Sequence, residues 1–192
     1  MSPQPSNRSN LIEGALRCLE RLPPERVTAR AIADEAGANL ASIAYHFGSK
    51  DDLVTEAVIE GLDRWLSEID VRLGKLSSQE PAERYRRAGE IIEGTRGEHA
   101  SLAKHFVSAL AKAQHDDRVR ERLTAGFGKT RPRIAALLGL GSDQAGEDAA
   151  GLVHSLFTGL LFQTLLDPAL AIEGSRLDRA QSRLTRVLPK SS

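Results

Sequence analysis

The chain has little of what most functional sites are built from. Its 192 residues include one cysteine, one tryptophan, two tyrosines and five phenylalanines, and 26 basic residues are balanced by 26 acidic ones. A lone Cys18 forms no internal disulfide, which excludes a cross-linked scaffold and fits a reducing compartment. Its spacing from Leu11, Ala15 and Leu22 puts it on an apolar helical stripe, so a packed thiol is expected in preference to a redox sensor. Zero net charge withholds the bulk attraction to phosphate that marks many nucleic-acid binders. The charge is not segregated either, since up to Lys50 six basic residues face five acidic ones, a net of +1. With aromatics at 4%, the core must come from Leu, Ile, Val and Ala, the composition of packed helices. Strand-like alternation is absent. No signal peptide is evident, and the longest apolar run reads as too short and too polar to span a membrane, so a cytoplasmic protein without a membrane partner is expected.

The parts of an enzyme are missing as well. There is no His-Glu-x-x-His or Glu-x-x-His pair, no phosphate-cradling glycine loop and no nucleophile elbow, and Cys18 has no histidine partner. His99 and His105 are six apart, which turns them to different faces of a helix, whereas two metal ligands on one helix favour spacings of three or four. No catalytic residue, cofactor or metal is expected.

What is present is punctuation. Val27 to Leu53 reads VTARAIADEAGANLASIAYHFGSKDDL, with three helix starts and two sharp stops. Thr28 is a hydroxyl N-cap for a helix over Ala29 to Ala36, and Gly37 ends it, because glycine takes a left-handed backbone almost without cost. Asn39 can cap the next helix after a three-residue turn, so the two helices cross steeply. Ala33 and Ala36 are small enough for close approach, while Ile32, Ile43 and Phe47 supply apolar faces. Gly48 breaks the second helix. Ser49 caps a third, with Asp51 and Asp52 complementing its dipole. This is a helix-turn-helix, whose second helix presents Leu40, Ala41 and Ser42 in its first turn, the part that approaches base edges in a major groove. Leu40 and Ala41 suit thymine methyls and Ser42 a single hydrogen bond, so direct readout is modest. With so few cations, affinity rests on geometry and its salt dependence is shallow.

Helical periodicity organises the rest. Residues 1–10 are polar and read as a disordered tail. Leu11, Ile12, Ala15, Leu16, Leu19 and Leu22 form the first helix, which stops before Pro23-Pro24. The head spans residues 11–49. Val54, Val58, Leu62, Trp65, Ile69, Leu73 and Leu76 form one stripe of a linking helix over 50–76, and Ser77-Ser78 and Pro81 mark its end. A body over 77–192 holds five helical segments, near 81–95, 98–115, 117–138, 143–167 and 174–188. Pro132 predicts a kink or break near Lys129 in the third of these. Between Leu152 and Leu166 the chain is apolar nearly all round, so one face suits its own body and the other, with Leu152, Leu156, Gly159 and Leu160, suits a second copy or a further helix of a monomeric bundle. His99, Leu102, Phe106 and Leu110 share a stripe, and His99 is a candidate for the polar group of an apolar cavity facing Phe157; core packing also accounts for Phe106 and Phe157. Arg176, Arg179, Arg183 and Arg186 make the last helix amphipathic, with a solvated basic face. The fold class is all-α, about nine helices.

Thr28, Ile32, Ala33, Ala36, Gly37, Ile43, Tyr45, His46, Phe47, Ser49, Lys50 and Leu53 together resemble the signature of the TetR family of bacterial transcriptional repressors. The resemblance implies a double-stranded DNA operator as partner, with Tyr45 and His46 as phosphate contacts, Lys50 as a phosphate-bound lysine at the start of the linking helix, and Thr28 and Arg30 as contacts from the second helix. Phe47 reads chiefly as a core aromatic of a three-helix head; the same role is the lesser reading for Tyr45, as a solvated lysine is for Lys50. Ala44 departs from many members, which carry tyrosine or asparagine there. The resemblance further implies a homodimer whose body binds a small apolar or amphipathic effector, for which His99, Leu102 and Phe106 of the helical stripe above, with Phe157 facing it, are the candidates. An adaptor with a head that binds no DNA, or a small-molecule enzyme using the helical cavity, are the alternatives.

Overall fold

The structure, a computed structural model, describes residues 7–75 and 80–188. Among these there are nine α-helices and no strand: α1 Asn7–Arg21, α2 Ala29–Ala36, α3 Ala41–Phe47, α4 Lys50–Gly74, α5 Pro81–Thr95, α6 Ala100–Lys112, α7 Asp117–Leu138, α8 Gln144–Leu166 and α9 Ser175–Leu184. The serine pair at 77 and 78, and the first six residues of the expected tail, lie outside the described residues.

Local chemistry explains most boundaries. The Thr28 hydroxyl accepts the Ala31 amide at 3.1 Å, and Gly37 closes α2 at φ 60°. At the start of α4 the Ser49 oxygen accepts the Asp52 amide at 3.0 Å and its hydroxyl donates back to the Asp52 carboxylate at 2.8 Å, a reciprocal cap. Asp116 and Asp143 cap α7 and α8 by accepting alone, Asp116 from the Arg118 and Val119 amides and Asp143 from the Gly146 amide.

Two expectations need correction. First, α1 begins at Asn7, inside the segment read as a disordered tail. Distant partners hold that turn: Asn7 donates to the Ser42 hydroxyl at 3.2 Å, and Arg8 pairs with Glu56 and lies over the Phe47 ring, 5.0 Å from its centroid. Second, of the kink or break expected near Lys129, the break does not occur, since α7 runs through Pro132. Pro132 and Gly128, whose carbonyl the proline leaves without a donor, are both exposed, so water can serve the lost hydrogen bond.

Two buried clusters meet along α4. One joins the head (Leu11, Leu19, Ile32, Ile43, Phe47) to Leu53 and Val58 of α4 and to Phe106, Val119 and Leu123 of the body. The other holds Trp65, Ile69 and Leu73 against Ala103, Ile134, Leu138, Ala150 and Leu161. The head therefore shares its core with α6 and α7 and does not hang from α4 alone. Two glycines make this closeness possible. A Cβ on Gly14 would stand 2.7 Å from the Ala36 side chain, and one on Gly61 would stand 2.8 Å from a Leu102 methyl, so α1 crosses α2, and α4 meets α6, at backbone distance. The end of α1 is finished by α6, where Ser101 donates to the Leu19 carbonyl at 2.6 Å and His105 Nε2 donates to the Leu22 carbonyl at 3.0 Å. Carbonyls at a helix C-terminus have no intrahelical donor, and here side chains from another helix supply one.

Candidate nucleic-acid interface and internal cavity

The short helix α3 begins where the Asn39 side chain accepts the Ala41 amide at 2.9 Å. Ile43 and Phe47, one turn apart, are both buried in the head, which turns the opposite side of α3 outward. Leu40 is 52% exposed and Tyr45 85% exposed, and Ala41 and Ala44 are exposed with them. Tyr45 is therefore not a core aromatic, whereas Phe47, 5% exposed, is. Ser42 and His46 are half-buried on the flank of this face; Ser42 accepts the Asn7 amide hydrogen bond, and the His46 ring meets Tyr45 edge to face at 4.9 Å. On α2, Thr28 and Arg30 are exposed. Lys50 is half-buried, with Nζ 2.8 Å from Asp51 Oδ1.

That lysine belongs to an ion-pair network that ties the head to the body. Asp51 also pairs with Lys112 at the end of α6, and Arg122 of α7 reaches both Asp52, at 3.2 Å, and Glu56. Burial alone would push the Asp51 carboxyl up; hydrogen bonds from Lys112 and Lys50 overcome it and hold the carboxyl below its ordinary value. The network was not legible in the sequence, because its members lie far apart along the chain.

The body also forms a half-open cavity of about 160 Å³, by the same measure about ten times what one water needs. Trp65, Phe106, Phe127 and Phe157 supply aromatic walls, and Leu62, Ile69, Ile134 and Leu161 aliphatic ones. Of the four expected cavity residues, Phe106 and Phe157 are on this lining. His99 and Leu102 are not, which corrects the expectation for them. His99 stacks on the outer side of the Trp65 indole, ring centroids 4.5 Å apart, with Nε2 3.4 Å from Glu68; Leu102 is spent against Gly61. The stripe on α6 is real, but the roll of α6 points only Phe106 inward. The polar groups on the lining are instead Asp63, Thr130, His154 and Thr158. His154 had one visible signal, a lone histidine in the most apolar stretch of the chain.

Residues 11–57 match the family model of bacterial regulatory proteins, tetR family. Over these residues the head is similar to that family. Solved structures agree in fold over nearly the whole length. The multidrug binding protein EbrR, complexed with imidazole, is 24% identical over 98% of each chain, with a TM-score of 0.68. GusR of Salmonella enterica is 18% identical over 98% of this chain and 97% of its own, with a TM-score of 0.61. A TetR transcription regulator from Haloarcula marismortui is 17% identical over 94% and 95%, with a TM-score of 0.61. At these identities the likeness is one of fold. No curated protein matches the chain.

Among the described residues, α8 carries one face that nothing covers. Leu152 is 74% exposed, and Leu156 and Leu166 are also exposed, while Gly159 has nothing within 4 Å of where its Cβ would stand. Contrary to the sequence expectation, α8 is by length and hydropathy apolar enough to cross a membrane. Its other side is committed to the protein, through Ala150 and Leu161 in the core and Val153, His154 and Phe157 on the cavity.

Proposed function

We propose that this protein is a homodimeric, ligand-responsive transcriptional regulator, a cytoplasmic repressor released from a palindromic operator by a small apolar or amphipathic molecule. The observation that carries the reading is the outward face of α3, where Tyr45 and Leu40 project from a short helix in a head that matches the tetR family. Leu40, Ala41 and Ser42 face base edges; Tyr45, His46, Lys50, Thr28 and Arg30 hold phosphates and fix register more than sequence. Two copies pair through α8 at Leu152, Leu156, Gly159 and Leu160, of which Leu152 and Leu156 are exposed and Gly159 and Leu160 half-buried. Pairing sets two α3 helices one turn of DNA apart, about 34 to 36 Å. An effector that fits only one arrangement of the heads weakens DNA binding by the free energy with which DNA weakens effector binding.

A gel shift on the DNA flanking its own gene, with a salt titration, tests this. Tyr45→Ala and Lys50→Ala should weaken binding to every DNA sequence, with Lys50→Ala lowering the slope of log affinity against log salt by about 0.9 per head. Ser42→Ala should change sequence preference. Equal affinity in all three variants would refute these roles.

A further inference from the structure

The cavity is polar in one place that the protein leaves unused. Asp63 pairs with Arg133 at 3.0 Å, the Thr130 hydroxyl donates to the Gly126 carbonyl at 3.0 Å, and the Trp65 indole N–H donates to Thr95 at 2.9 Å, so each of these has its partner. His154 touches the Phe127 ring, centroids 5.2 Å apart, and makes no hydrogen bond to any described residue. Thr158, one helical turn further along α8, also lines the cavity and also makes none. The polar atoms of both side chains stay open to the cavity and uncommitted to the protein, so a molecule there that carries a donor and an acceptor can pair with them.

We infer that His154 and Thr158 form the anchor of the effector pocket, and that the molecule it takes is a neutral, single-ring alcohol or phenol. The size is matched to the pocket's own space: its 160 Å³ is close to the roughly 150 Å³ of an apolar cavity that accepts benzene, so one ring fills it without extending through the open side. The hydroxyl follows from the anchor. A neutral imidazole offers one donor and one acceptor, and a hydroxyl is the smallest group that answers both. The neutrality follows from the charges. The only carboxylate on the lining is already paired, so a cation finds no counter-ion. A carboxylate ligand would be taken out of water with no fixed cation on the lining free to receive it. Burial pushes the His154 imidazole below its ordinary value, and the charge of Arg131, packed against Gly151 on the same helix, pushes the same way, so the ring stays uncharged at neutral pH. The consequence for DNA rests on the regulatory reading above; the anchor itself does not.

Trp65 is the only tryptophan of the chain and lies on the cavity wall, so its fluorescence reports occupancy. The full chain is titrated with four one-ring probes: benzyl alcohol, toluene, benzylammonium and benzoate. Benzyl alcohol should saturate, about five- to tenfold tighter than toluene, as one or two net hydrogen bonds allow, and the two ions should not saturate. His154→Phe should abolish the preference for the alcohol while toluene still binds. His154→Gln, which keeps a donor and an acceptor, should retain part of it, and Thr158→Val, which keeps the shape, should reduce it. Benzylammonium binding as tightly as benzyl alcohol, a preference that survives His154→Phe, or no saturation by either neutral probe would overturn the anchor. Saturation with the expected preference but no release of operator DNA would uphold the anchor and count against the regulatory reading alone.

Discussion

Tyr45 and Phe47 are two residues apart on one short helix, and truncating each to alanine should have opposite consequences. Tyr45 is 85% exposed and its ring meets the His46 ring edge to face, so Tyr45→Ala removes little buried area and should leave the unfolding free energy within about 0.5 kcal/mol of the parent. Phe47 is 5% exposed and packs among Ile43, Leu53 and the other residues of the head core, with Arg8 over its ring. Emptying such a site costs the transfer of the ring plus the cavity left behind, about 3 to 5 kcal/mol. That is a large share of the roughly 5 to 15 kcal/mol that holds a domain of this size together. Urea unfolding followed by circular dichroism should therefore move its midpoint sharply for Phe47→Ala and hardly at all for Tyr45→Ala. In the gel shift, the tyrosine variant should lose DNA affinity at full stability. At temperatures where it stays folded, the phenylalanine variant should lose affinity only to the extent that α3 is displaced. If Tyr45→Ala unfolds as readily as Phe47→Ala, or binds DNA like the parent, then the outward face of α3 is not a recognition surface.

Three further outcomes follow from the packing. Gly14→Ala gains about 1 kcal/mol of helix propensity but places its methyl 2.7 Å from the Ala36 side chain and 2.9 Å from its backbone, a clash worth about 1 to 3 kcal/mol, so it should destabilise; Gly128→Ala, with open space around it, should stabilise by about 1 kcal/mol, and thermal unfolding of both should show the opposite signs. Burial holds the His105 and His154 imidazoles below their ordinary value, so between that folded value and about pH 6.5 the unfolded chain binds more protons than the folded one. Stability should be flat above about pH 6.5 and fall on acidification, by up to about 1.4 kcal/mol per pH unit for each histidine. His105→Gln, which can still donate to Leu22, should flatten the slope, and an unchanged slope in urea melts at pH 7.5 and 5.5 would refute its assignment. On α8, Leu152→Glu puts a charge into the uncovered stripe and should shift the sedimentation of the protein toward monomer and abolish operator binding without lowering helix content; an unchanged assembly would remove that face from the interface.

Much of the architecture could be read in the chain because its signals are local. The boundaries of α2, the Asn39 turn and the starts of α3 and α4 depend on caps and glycines within four residues of each boundary, and such hydrogen bonds form wherever the rest of the molecule sits. The five body segments followed from apolar periodicity, which a helix imposes on its own sequence. The extra turn of α1 escaped notice because Asn7 and Arg8 are polar and are held only by Ser42, Glu56 and Phe47, residues more than thirty positions away. Pro132 misled for a related reason, since whether a proline breaks a helix depends on whether the carbonyl it orphans can reach water.

The candidate sites divide along the same line. Period narrowed which residues of α3 face outward, since Ile43 and Phe47 lie one turn apart, but Tyr45, which also read as a core aromatic, was placed outside only by the folded head. Which residues face the cavity was not narrowed in this way, because α6, α7 and α8 each carry apolar residues on more than one side, and only their mutual roll selects the side that looks inward. That roll turned His99 onto the indole of Trp65 and left His154 as the unpartnered group in the chamber. Caps and periodicity act over a single helical turn and so belong to the sequence. The rotation of one helix against its neighbours is set by contacts such as Gly14 on Ala36 and Gly61 on Leu102, whose partners lie tens of residues apart, and it exists only in the folded chain.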